Sequence, residues 1–169
     1  MSDVLPIRRI DSAETAFAFV LGILFNQRVK ADYAWQAPHR LEERLGTLSP
    51  DALIELSEGD YFAAFAKSPA IHPFTNTMAQ RSLDIAHIIA ERYDGDARNI
   101  WNTRITAREF IRRLSEFPGI GEHKARVALF VATVQLGISV VEDGGDYNIS
   151  SCARLAQLFH PQHHPALTN

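Results

Sequence analysis

Hydrophobic positions recur along this chain at helical spacing and nowhere alternate for the length of a strand. The stretch SAETAFAFVLGILFNQR (12–28) is apolar almost all round. It predicts a helix buried on every side, begun by Ser12 as N-cap and ended near Asn26 and Gln27. KADYAWQAPHRLEERL (30–45) predicts a second helix, bent or broken at Pro38 and stopped by Gly46. Ser49 and Pro50 begin a short helix in SPDALIEL, GDYFAAFAKSP gives another that Pro69 ends, and AIHPFTN reads as loop. In 76–93 the apolar residues Met78, Leu83, Ile85, Ile88 and Ile89 follow the helix period, with Asp94–Gly95 as the stop. Thr106 and Glu109 have capping-box spacing for a helix over 106–117, and 121–136 forms the next, ended by Gly137. ISVV is a short extended run, EDGGD a turn, and 149–159 a last helix before a loose tail over 160–169. The expectation is one all-α domain over 1–169, with roughly seven to nine short helices.

Composition narrows the class. At 46% hydrophobic and 22% charged, the chain matches an ordinary globule, not a disordered segment. Cys152 is its single cysteine, which excludes an internal disulfide, a four-cysteine zinc site and an iron–sulfur cluster. MSDVLPIRR lacks the apolar core of a secretory signal. The longest apolar stretches, around 16–25 and 127–138, are too short or too interrupted to span a bilayer. A cytoplasmic protein with no membrane partner is expected. The net charge of −3 argues against a broadly basic nucleic-acid face, but leaves room for positive charge confined to one groove.

The densest candidate chemistry lies in EFPGIGEHKAR (116–126). Glycines at 119 and 121 let backbone N–H groups approach another surface, with φ values other residues avoid. The helix that opens there turns its unpaired N–H donors and positive dipole end the same way. Together they make an anion site whose natural occupant is a phosphate, with Lys124 and Arg126 adding charge. The plain alternative is a helix–helix turn with a helix-stopping proline and two permissive glycines.

FPGIGEHKA resembles the L-P-G-V-G-x-K-x-A signature of the helix–hairpin–helix DNA glycosylases, the superfamily of endonuclease III. LGILFNQRVKADYAW is similar to the early family helix that ends in a polar segment with a glutamine. RSLDIAHIIAERYDGDARNIW is similar to the helix and acidic–glycine turn before the hairpin. The likeness runs in order from about residue 15 to about residue 140. It looks closest to a small bacterial subgroup of that fold without an iron–sulfur cluster.

The resemblance implies an enzyme that flips a damaged or mismatched base out of duplex DNA and breaks its glycosidic bond. It implies phosphate binding at Gly119, Ile120 and Gly121, with a monovalent cation possible at the hairpin and no other cofactor. Gln27, with Asn26 beside it, would fill the hole left by the flipped base. The family's lysine nucleophile falls at the position of His123, and Lys124 comes one residue later. On a helix one residue is a rotation of about 100°, so Lys124 does not simply substitute. The resemblance therefore points to the monofunctional type, which activates water, with His123 at the pocket edge. The required aspartate has three candidates, Glu142, Asp143 and Asp146. Asp146 is favoured because DYNIS resembles the family's aspartate before a short helix. Asp146 reads equally as the N-cap of the last helix. The implied partner is double-stranded DNA, bound by a monomer that is cytoplasmic and on the nucleoid when engaged. The alternative is a module that keeps the fold, has lost the chemistry, and binds DNA or protein. A further reading is an all-α protein whose PGIG turn is only structural.

Other residues carry less. His160, His163 and His164 in FHPQHHP have no carboxylate in fixed register to complete a metal site, so a loose terminus is the better reading. His72 and His87 read as core or surface histidines, and Trp35 and Trp101 as core. Arg112 and Arg113, like Arg28 and Lys30, read either as DNA-backbone contacts or as solvated faces.

Overall fold

The computed structural model describes residues 9–141 and 143. Among them the chain is helical throughout, with one isolated parallel bridge between Thr106 and Val141. The helices are α1 (Ala13–Phe25), α2 (Ala31–Leu45), α3 (Pro50–Leu53), α4 (Glu58–Ala66), α5 (Thr75–Arg92), α6 (Ala107–Ser115) and α7 (Glu122–Phe130). A 3-10 turn (Ala97–Ile100) precedes α6, and a wide π turn (Val131–Gln135) continues α7. No described helix is long and apolar enough to cross a membrane. The last expected helix and tail, with Cys152, His160, His163 and His164, lie outside the described residues.

α1 is the axle of the fold. It buries every position from Phe19 to Phe25 and packs against α2, α3, α5, α7 and the 3-10 turn. The Ser12 side chain accepts from Thr15 N–H, and the Thr15 side chain caps the Ser12 N–H in return, so the predicted start is a reciprocal cap. Gly22 sits on the face turned to α2. A Cβ there would fall inside the ring of Trp35, so the missing side chain is what lets the indole lie flat against α1. A row of rings then runs across the domain: Trp35 stacks on Phe19, Phe19 meets Trp101 edge-on at 5.6 Å, and Trp101 packs on Phe110 of α6. A hairpin helix is thereby seated on the same core as α1 and α2.

Several local expectations are corrected. α2 runs unbroken through Pro38, which is buried against the core, and ends at Gly46 with φ +80. Apolar packing of Trp35, Ala37, Pro38 and Leu41 offsets the lost backbone bond. Ser49 stands at the N-cap of α3 but its side chain makes no capping bond. Only half of the capping box at α6 forms. Thr106 Oγ1 accepts from Glu109 N–H, while the Glu109 carboxylate turns away to Arg112 and Arg113. Those guanidiniums, Arg112 first, hold the Glu109 pKa down to about 2.

Candidate nucleic-acid interface

The turn between α6 and α7 is built around two glycines with different duties. Gly119 has φ +83, the left-handed region that disfavours a side chain. A Cβ there would stand 2.7 Å from Leu24 Cδ1 and 2.7 Å from Arg81 Cδ, so the backbone touches α1 and α5 directly. Gly121 is ordinary extended backbone, φ −84 and ψ −177, and a Cβ there would meet nothing within 4 Å. The expectation of special φ at both positions therefore holds at Gly119 and fails at Gly121. Gly121 is exposed and is the N-cap of α7 with no side-chain cap. The first helical bond is Ala125 N–H to Gly121 O, which leaves the N–H groups of Glu122 and His123 without an acceptor among the described residues. They face outward on an exposed turn.

Ile120 is the anchor of this turn. Its side chain is buried and its N–H donates to Phe117 O at 3.0 Å. That N–H is spent inside the turn and is not open to an acceptor outside it.

Lys124 does not point outward. Its Nζ donates to Leu24 O at 2.8 Å, to Gln27 Oε1 at 3.1 Å and to Gly119 O at 3.2 Å. An ammonium has three N–H donors, and these acceptors use all of them. Burial, and then the nearby Arg81 guanidinium, push the lysine down to about 8. The three oxygens work in the other direction, since a neutral amine brings only two N–H groups to them. The expected placement of Lys124 near a phosphate is corrected accordingly. His123, one residue earlier, is exposed at the helix start. Arg126 also turns back on its own helix, donating from Nη2 to Glu122 Oε1 at 2.7 Å. Arg112 is taken by Glu109 and Glu116, and Arg113 by Glu109 and Ile100 O.

The end of α1 lies alongside. Asn26 is its C-cap and half-buried. Gln27 is half-buried, its Oε1 held by Lys124 and its backbone O held by His72 Nε2 at 3.1 Å. The Gln27 amide nitrogen has no protein acceptor among the described residues. His72 is a satisfied core histidine: Nε2 also reaches Phe25 O at 3.1 Å, and Nδ1 accepts from Phe74 N–H at 3.0 Å. Nε2 is therefore the protonated nitrogen. Burial pushes the imidazole below its ordinary value against the pull of the two carbonyls, and Lys124 adds to the downward shift.

Two residues that sequence reasoning passed over join this place. Phe74, in the segment read as loop, is 39% exposed and packs beside His72. The Arg28 guanidinium lies 5.9 Å over its ring, on a backbone held at φ +56. Arg81 of α5 lays its stem on Gly119 and meets no carboxylate among the described residues. Arg28, Lys30 and Arg81 thus give positive charge near Gln27 and the hairpin that no ion pair among the described residues neutralises. No motif announces Phe74. An aromatic left outside helical periodicity, between Pro73 and a helix start, was the available signal.

Of the carboxylate candidates, Glu142 and Asp146 lie outside the described residues. Asp143 Oδ2 accepts from Arg108 N–H at 3.0 Å, at the first turn of α6 and so at the opposite end of that helix from the hairpin turn. No group of histidine, cysteine, aspartate or glutamate side chains among the described residues could hold a metal. No protein-family profile matches the chain, and no curated protein matches it.

Proposed function

We propose that this chain binds double-stranded DNA through the α6–α7 hairpin and acts as a base-excision glycosylase of the helix–hairpin–helix kind. The observation that carries the reading is the meeting of three things at one edge. They are the start of α7 at Gly121 without a side-chain cap, Arg81 on Gly119 with no carboxylate partner among the described residues, and the Gln27 amide beside the exposed Phe74–Arg28 pair. The N–H groups of Gly121, Glu122 and His123, with Arg81, take a backbone phosphate. Gln27 enters the gap left by a flipped base, and Phe74 offers a ring for a neighbouring base to stack on.

The chemistry is hydrolysis. The bond from the sugar C1′ to the base nitrogen breaks, and positive charge builds on the sugar. A carboxylate, for which Asp146 is the candidate, stabilises that charge and orients a water. The water oxygen joins C1′ and its proton goes to the departing base. Lys124 is no nucleophile here, because its donors are committed to Leu24, Gln27 and Gly119 and its side chain faces inward. A hairpin cation fits poorly: Gly119 O accepts from Lys124, Phe117 O from Ile120 and Gly121 O from Ala125. No step is assigned to such an ion.

A second reading, a DNA-binding module without chemistry, draws on the commitment of Lys124 and on the use of Asp143 as a helix cap. One experiment separates them. End-labelled duplexes with a panel of damaged and mismatched bases are incubated with the protein and run on a gel with and without alkali. Strand breaks seen only after alkali, and lost in Asp146→Asn, are expected. Binding without breaks on any duplex supports the module, and breaks without alkali refute the water mechanism.

A further inference from the structure

Three observations meet at one ammonium. Lys124 Nζ reaches the last-turn carbonyl of α1 (Leu24 O), the hairpin carbonyl Gly119 O, and the side-chain oxygen of Gln27. The first two acceptors are backbone and are fixed by the packing of Gly119 against Leu24. The third belongs to a half-buried side chain that has no other partner for its amide among the described residues. A glutamine at a helix end ordinarily samples several rotamers in water. This one has its oxygen held inward, which turns its N–H₂ out towards solvent.

We propose that Lys124 is a positioning residue whose ammonium ties the Gln27 side chain to the hairpin backbone, so that the gap-filling group and the phosphate-holding turn move as one body. The use of this tie rests on the DNA-binding reading above, whereas the tie itself is a property of the protein alone. It explains why a lysine beside the proposed phosphate site spends every donor inside the fold. The ammonium forms no ion pair among the described residues. It links α1, α7 and the Gln27 side chain by charge-assisted hydrogen bonds.

The tie depends on the third N–H. Loss of one proton leaves two donors for three oxygens and turns a lone pair on one of them. Gln27 Oε1 is the acceptor that leaves, because it alone can rotate away. The charged and titratable groups facing Lys124 are Arg81 of α5 and His72 of the segment before α5, and no carboxylate among the described residues acts on it. With no carboxylate among the described residues to hold the charge, release follows the lysine's own titration, near pH 8.

The test has an arm without DNA. Heteronuclear relaxation of the ¹⁵N-labelled Gln27 side-chain amide is measured in the whole protein, from pH 6.5 to 9.5. In the wild type the amide is ordered at neutral pH and loses order in one step as Lys124 deprotonates. In Lys124→Met, which keeps the stem, it is mobile at all pH values with no step. A purely packing role for Lys124 moves neither signal. The second arm is fluorescence anisotropy on a duplex with one abasic-site analogue and on its intact twin, at pH 7. The wild type prefers the gapped duplex. Lys124→Met and Gln27→Ala each lose that preference roughly tenfold, the size of one charge-assisted hydrogen bond, and the double variant loses no more. An ordered Gln27 amide in Lys124→Met overturns the tie whatever the DNA result. A gap preference that survives in Lys124→Met, with Gln27 mobile, overturns the coupling while leaving the DNA reading intact. A wild type that binds neither duplex overturns the DNA reading and with it the use of the tie, and the relaxation arm still decides the tie. The wild-type pH series needs no variant, so a poorly folding Lys124→Met does not stall the test.

Discussion

Replacing each hairpin glycine by alanine separates backbone necessity from mere openness. At Gly119 two costs add. Holding alanine at φ +83 costs about 1–2 kcal/mol. The new Cβ also stands 2.7 Å from Leu24 Cδ1. Leu24 is fully buried in α1 and cannot retreat, so overpacking adds about 1–3 kcal/mol. Arg81 is a flexible stem and can swing aside. The stiffer unfolded chain gives back about 0.4–1 kcal/mol. The expected net loss is about 1–5 kcal/mol for Gly119→Ala, centred on about 3. At Gly121 the backbone is already ordinary and no atom lies within 4 Å. Alanine is a poorer N-cap by about 0.5–1 kcal/mol, and the unfolded-state gain cancels this, leaving a change near zero. Urea unfolding followed by circular dichroism measures both, and an unchanged m-value certifies that the midpoint shift is stability. Equal midpoints for the two variants, or a Gly119→Ala midpoint at the wild-type position, would refute the account of the turn.

Gly121→Asp places a capping carboxylate in open space at the start of α7, and thermal melts should show a gain of about 0.5–1 kcal/mol. The same carboxylate occupies the phosphate position, so anisotropy titrations should show DNA affinity reduced; a variant that is stabilised yet binds DNA as the wild type does removes the hairpin from the interface. Phe74→Ala should cost only about 1–2 kcal/mol of stability, because the ring is 39% exposed and packs beside His72 and under Arg28, while losing about 1–3 kcal/mol of duplex affinity if a base stacks there. His72 is kept below its ordinary pKa by burial, so the folded state resists its proton. Its contribution is fully present above pH ~6.5 and is lost as pH falls towards the depressed folded value. Urea midpoints from pH 7.5 to 5 should fall on the acid side, and His72→Gln should flatten that slope.

Helix ends were legible because they are written in short-range chemistry. Ser12, Gly46, Asp94–Gly95 and Gly119 each carry their signal within a few residues. Periodicity also gave the apolar face of α5, and the all-round apolarity of α1 gave its burial, and with them the all-helical class. Partners were not legible. Lys124 and Arg126 look alike as basic residues on one short helix, yet one is drawn inward by the oxygens of Leu24 and Gln27, 100 and 97 positions earlier in the chain, and the other pairs with Glu122 a turn away. Arg81 reads as a polar helix position until α5 is laid against the hairpin. Pro38 suggests a bend or a break because its local cost is visible in the sequence and the compensating burial is not. Half of the α6 box failed for a similar reason, since Glu109 had two arginines competing for its carboxylate.

The fit of Trp35 over Gly22 governs how this sequence can drift. Helix propensity alone favours alanine at position 22 by about 1 kcal/mol, yet any side chain there enters the indole. Shrinking Trp35 first opens a hole beside Phe19 and α1, and a large-to-small change of that kind costs about 3–5 kcal/mol. Each route therefore crosses a destabilised intermediate, and the two positions form a single heritable unit. A descendant that gains a side chain at 22 will have already surrendered its ring at 35, and with it the first link of the aromatic row that seats the hairpin.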